Sequence, residues 1–287
     1  MNIAVPASGT VTGMGGLPHR DADDAAAFAL TMQIPSIPQL PRRSPAEGAV
    51  AQAMVGMRGI TVGQYGSITV DADLVDPLAP VTTDLQHDAF VGFRTFLDAS
   101  ATNWQTGSWL KWQLVGPITL GTALVRAGVP ASEAYESAVR SVRSRAQYLL
   151  EAVSQRLDGC RQLVFIEEPG MASLMDIGYP LAPDAAIDLV SGSLAAIEPY
   201  AVAGLHVCGL GDVASQLATG PAVLSLPVHE SLGASAGYLA KFMERGGLIA
   251  WGAVSTTGPI STSAERPWRA LCGLWCDLVR RGIDPVM

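Results

Sequence analysis

The chain has 287 residues, of which 49% are hydrophobic and 15% are charged, and its 18 Lys and Arg against 26 Asp and Glu give a net charge of −8. This composition excludes a disordered chain, and the acidic balance without any basic run argues against a nucleic-acid-binding protein. Four cysteines are too few for a disulfide scaffold, no apolar stretch reaches the ~18 residues of a membrane helix, and no signal peptide is visible. We therefore expect one cytoplasmic globular domain over residues 1–287, with neither membrane nor nucleic-acid partners.

The first half of the chain alternates short apolar segments with helical patterns. Residues 10–18 predict a strand that runs into a glycine-rich turn, and residues 35–41 predict a short extended piece. Residues 44–47 (SPAE) have the spacing of a helix start with a capping box. Residues 59–71 predict a hairpin, and residues 84–98 predict an amphipathic helix.

The second half repeats a strand–helix unit. A third strand, residues 110–120, precedes the clearest helix, residues 132–157, whose apolar positions recur every three or four residues. Four further strands follow, at residues 161–169, 200–209, 221–228 and 246–254, with helices around 185–197, 238–244 and 264–281. About seven such units predict the α/β class and a TIM-type (β/α)8 barrel that lacks its last strand in this chain. A doubly wound sheet is the alternative.

Several predicted strands end in polar or Gly/Pro-rich corners, which is where a barrel carries its chemistry. In chain order these pieces are TGMGGLP, PSIPQLP, QLVGPITL, FIEEP, LHVCG and IAWGAV. Together they resemble the catalytic barrel of cobalamin-independent methionine synthase. They look more like its short single-barrel relatives in the uroporphyrinogen decarboxylase/methionine synthase superfamily. The resemblance spans about residues 10–285.

The resemblance implies methyl transfer to a thiol such as homocysteine, which would give methionine, with a methylfolate or a methylcorrinoid as the donor partner. It also implies a zinc cofactor, because a coordinating metal deprotonates a thiol that is mostly protonated at neutral pH. Two alternatives remain open. One is a non-catalytic or diverged barrel that binds a thiol metabolite or a partner, and the other is a lyase similar to uroporphyrinogen decarboxylase.

His206 and Cys208 match the first two zinc ligands of this family, and alternate residues of a strand place both donors on one face. An acidic third ligand would stand at Pro227 in strict register, so we take Glu230, with His229 as the other candidate. The family's fourth ligand is a cysteine at the eighth strand, and no cysteine follows Cys276 here. A truncated chain, a neighbouring subunit in a homo-oligomer, or a diverged open barrel would each account for this.

Three residues correspond by position to the substrate pocket. The resemblance assigns Glu167 to the substrate amine, although the family has Asp there, and it makes Gln39 a further pocket candidate. The backbone N–H of Gly16 is a candidate contact for a carboxylate, although a glycine there also suits a tight turn. The sequence identifies no residue as directly catalytic.

Overall fold

The computed structural model describes residues 5–63, 65–71, 73–255 and 263–283, and a parallel sheet forms its centre. A small antiparallel hairpin, β1 (Ile60–Val62) and β2 (Ile68–Val70), confirms the hairpin predicted over residues 59–71. The sheet itself contains five parallel strands: β3 (Trp109–Val115), β4 (Arg161–Glu167), β5 (Val202–His206), β6 (Val223–Pro227) and β7 (Leu248–Gly252). They lie side by side in chain order.

Two N-terminal segments extend this sheet beyond β3. Isolated parallel bridges join the glycine-rich segment to the following extended piece, and that piece to β3, through the pairs Thr12–Ile34, Gly16–Gln39 and Ser36–Lys111. Seven parallel segments therefore follow one another in chain order. Since the order contains no switch point, the doubly wound alternative does not describe the sheet. Within the described residues the pairing stops at β7, and a complete eight-stranded barrel is not formed.

Helices connect the strands on the outer face of the sheet. The described part of the chain contains nine: α1 (Ala22–Ala29), α2 (Ala49–Met54), α3 (Val91–Ala101), α4 (Pro117–Arg126), α5 (Ala131–Arg156), α6 (Pro183–Leu194), α7 (Val213–Ala218), α8 (Ala236–Glu244) and α9 (Glu265–Arg280). The 26-residue α5 confirms the helix predicted from residues 132–157. None of these helices has both the length and the apolar character needed to cross a membrane.

The two faces of the sheet bury different side chains. The large apolar core lies between the outer face and the helices, with Trp112 of β3 fully buried in it. A smaller cluster on the inner face consists of side chains from three strands: Leu163, Phe165, Val202 and Val223. Gly204 faces the same side, because a Cβ there would lie 2.5 Å from the ring of Phe165. An apolar inner face lined by strands rather than helices is typical of a barrel.

The capping box predicted at residues 44–47 is wrong. Ser44 makes no capping hydrogen bond, and the segment that follows is a single 3₁₀ turn. The carboxylate of Glu47 is fully buried, where it accepts hydrogen bonds from the backbone N–H groups of Leu40 and Gly92 and pairs with Arg43. The local pattern assigned the Glu47 side chain to a helix cap, but Arg43, Leu40 and the distant Gly92 bind it instead.

Candidate functional site

The end of β5 brings an imidazole and a thiol together. Cys208 Sγ lies 3.3 Å from His206 Nε2, and the other ring nitrogen, Nδ1, lies 2.9 Å from the hydroxyl of Ser225. Ser225 is the register partner of His206 on the adjacent strand β6. The hydroxyl therefore fixes the orientation of the ring and leaves Nε2 facing the sulfur. A hydrogen bond at the ring nitrogen that faces away from the metal is typical of histidines that ligate metals.

Burial sets the charge state of this pair. It lowers the pKa of His206 to about 4, and the positive charge of Lys111 acts in the same direction. The imidazole is therefore neutral at physiological pH, which is the form that binds a metal. Burial and then the negative charge of Glu167 raise the pKa of the Cys208 thiol. Without a cation beside it, this cysteine is a protonated thiol rather than a nucleophilic thiolate.

The third metal ligand is not gathered with this pair. Glu230 is exposed and begins the 3₁₀ turn Glu230–Ser235 after β6, and the ring of His229 caps that turn by accepting from the N–H of Ser231. Among the described residues no three His, Cys, Asp or Glu side chains converge to hold a metal ion. The residues present therefore fit two positions of a zinc site, and the ligand role of Glu230 remains a prediction.

Glu167 ends β4 in register with His206, so its half-buried side chain lies on the same inner face as the histidine. Burial raises the pKa of Glu167, and the positive charge of Lys111 opposes this rise. A carboxylate at the mouth of the sheet has the chemistry to bind an ammonium group. Its substrate role remains a prediction.

The adjacent carboxylate has a different function. Glu168 is fully buried, and its two oxygens accept hydrogen bonds from the N–H groups of Ile118 and Thr119 and from the Thr119 hydroxyl, at 2.6 to 3.0 Å. These groups belong to the first turn of α4, where a helix has unpaired N–H donors. Burial raises the pKa of Glu168 to about 7, against these three hydrogen bonds. The carboxylate joins the end of β4 to the start of α4.

Gly16 and Gln39 are bridge partners at the same end of the sheet. Gly16 is exposed, with open space where a Cβ would stand. Both ends of the buried Gln39 amide are occupied, since Oε1 accepts from Gln113 Nε2 at 3.2 Å and Nε2 donates to Gln52 Oε1 at 2.8 Å. These two hydrogen bonds hold the Gln39 side chain in a buried chain of amides. No contact tests a substrate role for Gln39 or Gly16.

Sequence reasoning missed Lys111, which lies on the inner face of β3 and is fully buried. Its ammonium donates to Gln113 Oε1 and lies 5.5 Å from the centre of the Phe165 ring. The amide chain continues from Gln113 through Gln39 and Gln52 to the carbonyl of Ala89, with every donor pointing away from the lysine. One signal was available: the chain has only two lysines, and Lys111 stands inside the apolar run LKWQLV.

Comparisons with known proteins identify the fold and no family. No protein-family model matches the chain, and no curated protein matches it either. Among solved structures, the chain is similar to a methyltransferase from Methanosarcina mazei, with a TM-score of 0.54 and 15% sequence identity over 97% of this chain and 95% of that one. At this identity the likeness shows a shared α/β architecture along almost the whole chain.

Proposed function

We propose that the chain is a methyltransferase that moves a methyl group to a zinc-bound thiol such as homocysteine, from a methylfolate or methylcorrinoid donor. The observation that carries this proposal is the 3.3 Å approach of Cys208 Sγ to His206 Nε2 at the carboxyl end of β5, with Ser225 orienting the ring. The similarity to a methyltransferase of known structure supports it at the level of the fold.

A barrel of TIM type is the architecture that this proposal requires. The sequential order of the parallel segments and the strand-lined inner face both support it. In such a barrel the carboxyl ends of the strands meet at one mouth. Glu167, His206 and Ser225, which are register neighbours across three strands, would then form part of one site.

Each residue has a distinct task in the proposed site. His206 offers its neutral Nε2, Ser225 orients the ring through the other nitrogen, Nδ1, and Cys208 offers sulfur. Glu230, on the turn after β6, is the candidate for the third donor. Bound zinc would supply a Lewis acid that holds the substrate sulfur as a thiolate. Glu167 would bind the substrate ammonium group.

Metal analysis of the purified protein tests the proposal. We expect about one zinc per chain, and loss of that zinc in both His206→Ala and Cys208→Ser. Cys276→Ser is the matched control, because Cys276 is an exposed cysteine on α9, away from the proposed mouth. A cobalt-loaded protein should show a thiolate-to-metal absorption band that Cys208→Ser abolishes and Cys276→Ser retains.

Methylation of homocysteine then tests the reaction, with methylcobalamin and a methylfolate as separate donors. Turnover that depends on His206 and Cys208 would support the proposal, and the preferred donor would identify the second substrate. The proposal would be refuted if the protein still contained no zinc after refolding in the presence of zinc and gave no turnover with either donor.

A further inference from the structure

A buried positive charge lies beneath the proposed mouth without a counter-charge in contact. Lys111 is 0% exposed, and its ammonium contacts the amide oxygen of Gln113, the sulfur of Met14 at 3.9 Å and the ring of Phe165. All three groups are neutral. Across the described residues no ion pair joins Lys111 to Glu167, the acidic side chain on the same face.

A second unsatisfied group stands beside this lysine. Ser36 is the bridge partner of Lys111 on the neighbouring segment, so the two side chains lie on the same face. Ser36 is 2% exposed, and its hydroxyl has no hydrogen-bond partner. An ammonium group has three protons to donate, of which Gln113 and Met14 accept two. The ammonium group and the Ser36 hydroxyl therefore retain unused donors in the buried interior.

Such an arrangement is costly for the folded protein unless something binds to it. Burying an ammonium group without an anionic partner is unfavourable, and buried hydroxyl groups in proteins are nearly always paired. Burial lowers the pKa of Lys111 to about 7, and the charge of Glu167 acts against that shift. A bound anion would satisfy both the ammonium and the hydroxyl.

The Met14 side chain lies against the ammonium group of Lys111, with its sulfur 3.9 Å away. Met14 is half-buried and flexible, and open space adjoins Gly16 two residues further on. Rotation of the Met14 side chain would free the position beside the ammonium group for another ligand.

We propose that Lys111 and Ser36 form an anion subsite that receives the carboxylate of a small thiol, with the Met14 side chain displaced. The subsite rests on the proposed function only in taking the ligand to be a thiol. The cation of Lys111 would then select a substrate that carries a carboxylate, and Glu167 would bind an ammonium group on the same substrate.

Binding measurements with matched thiols test the subsite. We expect 3-mercaptopropionate to bind at least about tenfold more tightly than the neutral 3-mercapto-1-propanol, and Lys111→Met to remove that preference. Ser36→Ala should weaken it less. Lys241→Met is the matched control, because Lys241 is the other lysine of the chain and is exposed. Unchanged preference in Lys111→Met would overturn the proposal.

A second measurement does not depend on a variant that folds. Labelling the lysine side chains with ¹³C gives two sets of signals, and we expect a carboxylate ligand to shift that of Lys111 and leave that of Lys241 in place. Butyrate, which has no thiol, separates the two proposals. If butyrate shifts the NMR signal of Lys111 in protein that binds no zinc, the anion subsite is supported. That result contradicts only the proposed methyltransferase function. No shift with any carboxylate overturns the subsite.

Discussion

The buried Lys111 makes the stability of the folded chain depend on pH, and the direction of that dependence follows from its pKa. Its pKa falls from 10.5 to about 7 on burial. Between these two values the unfolded chain binds more protons than the folded one, so the contribution of Lys111 to stability rises with pH through this window. Below pH 7 both states are protonated, and the full cost of burying the charge is present.

Replacing this lysine with Met should therefore stabilise the ligand-free protein at pH 7. We expect Lys111→Met to be more stable than the natural chain by on the order of 2–4 kcal/mol, and the difference to shrink toward pH 10. Urea unfolding at pH 7 to 9.5 measures it, with Lys241→Met showing no such trend. A difference that stays constant with pH would contradict the assigned cause.

At the scale of single residues, the two-residue spacing of His206 and Cys208 placed both side chains at one end of a strand, and they lie 3.3 Å apart although β5 ends at His206 and Cys208 stands just beyond it. The sequence could not predict the contact of His206 with Ser225, which depends on the register between β5 and β6. Lys111 was missed for a related reason. A lysine in a strand is normally exposed, and the packing of the sheet shows that this one faces inward.

At the scale of the elements, the start of helix α4 depends on the carboxylate of Glu168, the residue that directly follows β4. Two N–H donors of its first turn, in Ile118 and Thr119, have Glu168 as their acceptor. Gly116 allows this approach, since a Cβ there would lie 2.2 Å from Glu168 Oε1. The helix end is thus capped across the fold, with no capping side chain of its own.

Removing this carboxylate should loosen β4 from α4. We expect Glu168→Ala to lower the free energy of unfolding by about 2–4 kcal/mol, because it leaves one buried and one partly buried N–H donor without an acceptor. Glu168→Gln should lose less, since its remaining oxygen can serve one of them. Urea denaturation measures both, with the exposed Glu136→Ala on α5 as the control, expected within about 0.5 kcal/mol of the natural chain. Equal stability of all three variants would show that the cap is dispensable.

The elements that the sequence predicted are those whose contacts follow a local pattern. The α5 helix was predictable because its apolar face repeats over 26 residues. The turn at residues 44–47 was not, because Glu47 obtains better partners from Gly92 and Arg43 than from its own backbone. Local rules fail where a buried polar side chain is satisfied by distant groups.

On the scale of the whole molecule, strand order could be predicted and closure could not. Alternating strands and helices favour parallel neighbours in chain order, and the sheet has that order. Whether a sheet closes depends on long-range pairing between its two edges, which no local pattern encodes. Within the described residues β7 has a neighbour on one side, and a homo-oligomer that covers its other edge remains a prediction.

Hydrogen exchange should reveal this asymmetry of the sheet. The side chains of β7 are partly exposed along Leu248–Gly252, whereas β4 is buried over five consecutive residues between two neighbouring strands. We therefore expect amides of β7 to exchange at least about tenfold faster than those of β4 at low protein concentration. Pairing of β7 with a second copy of the chain would slow its exchange as concentration rises. Equal protection of β4 and β7 at every concentration would contradict an open edge, because full protection of β7 then requires a partner strand within the chain itself.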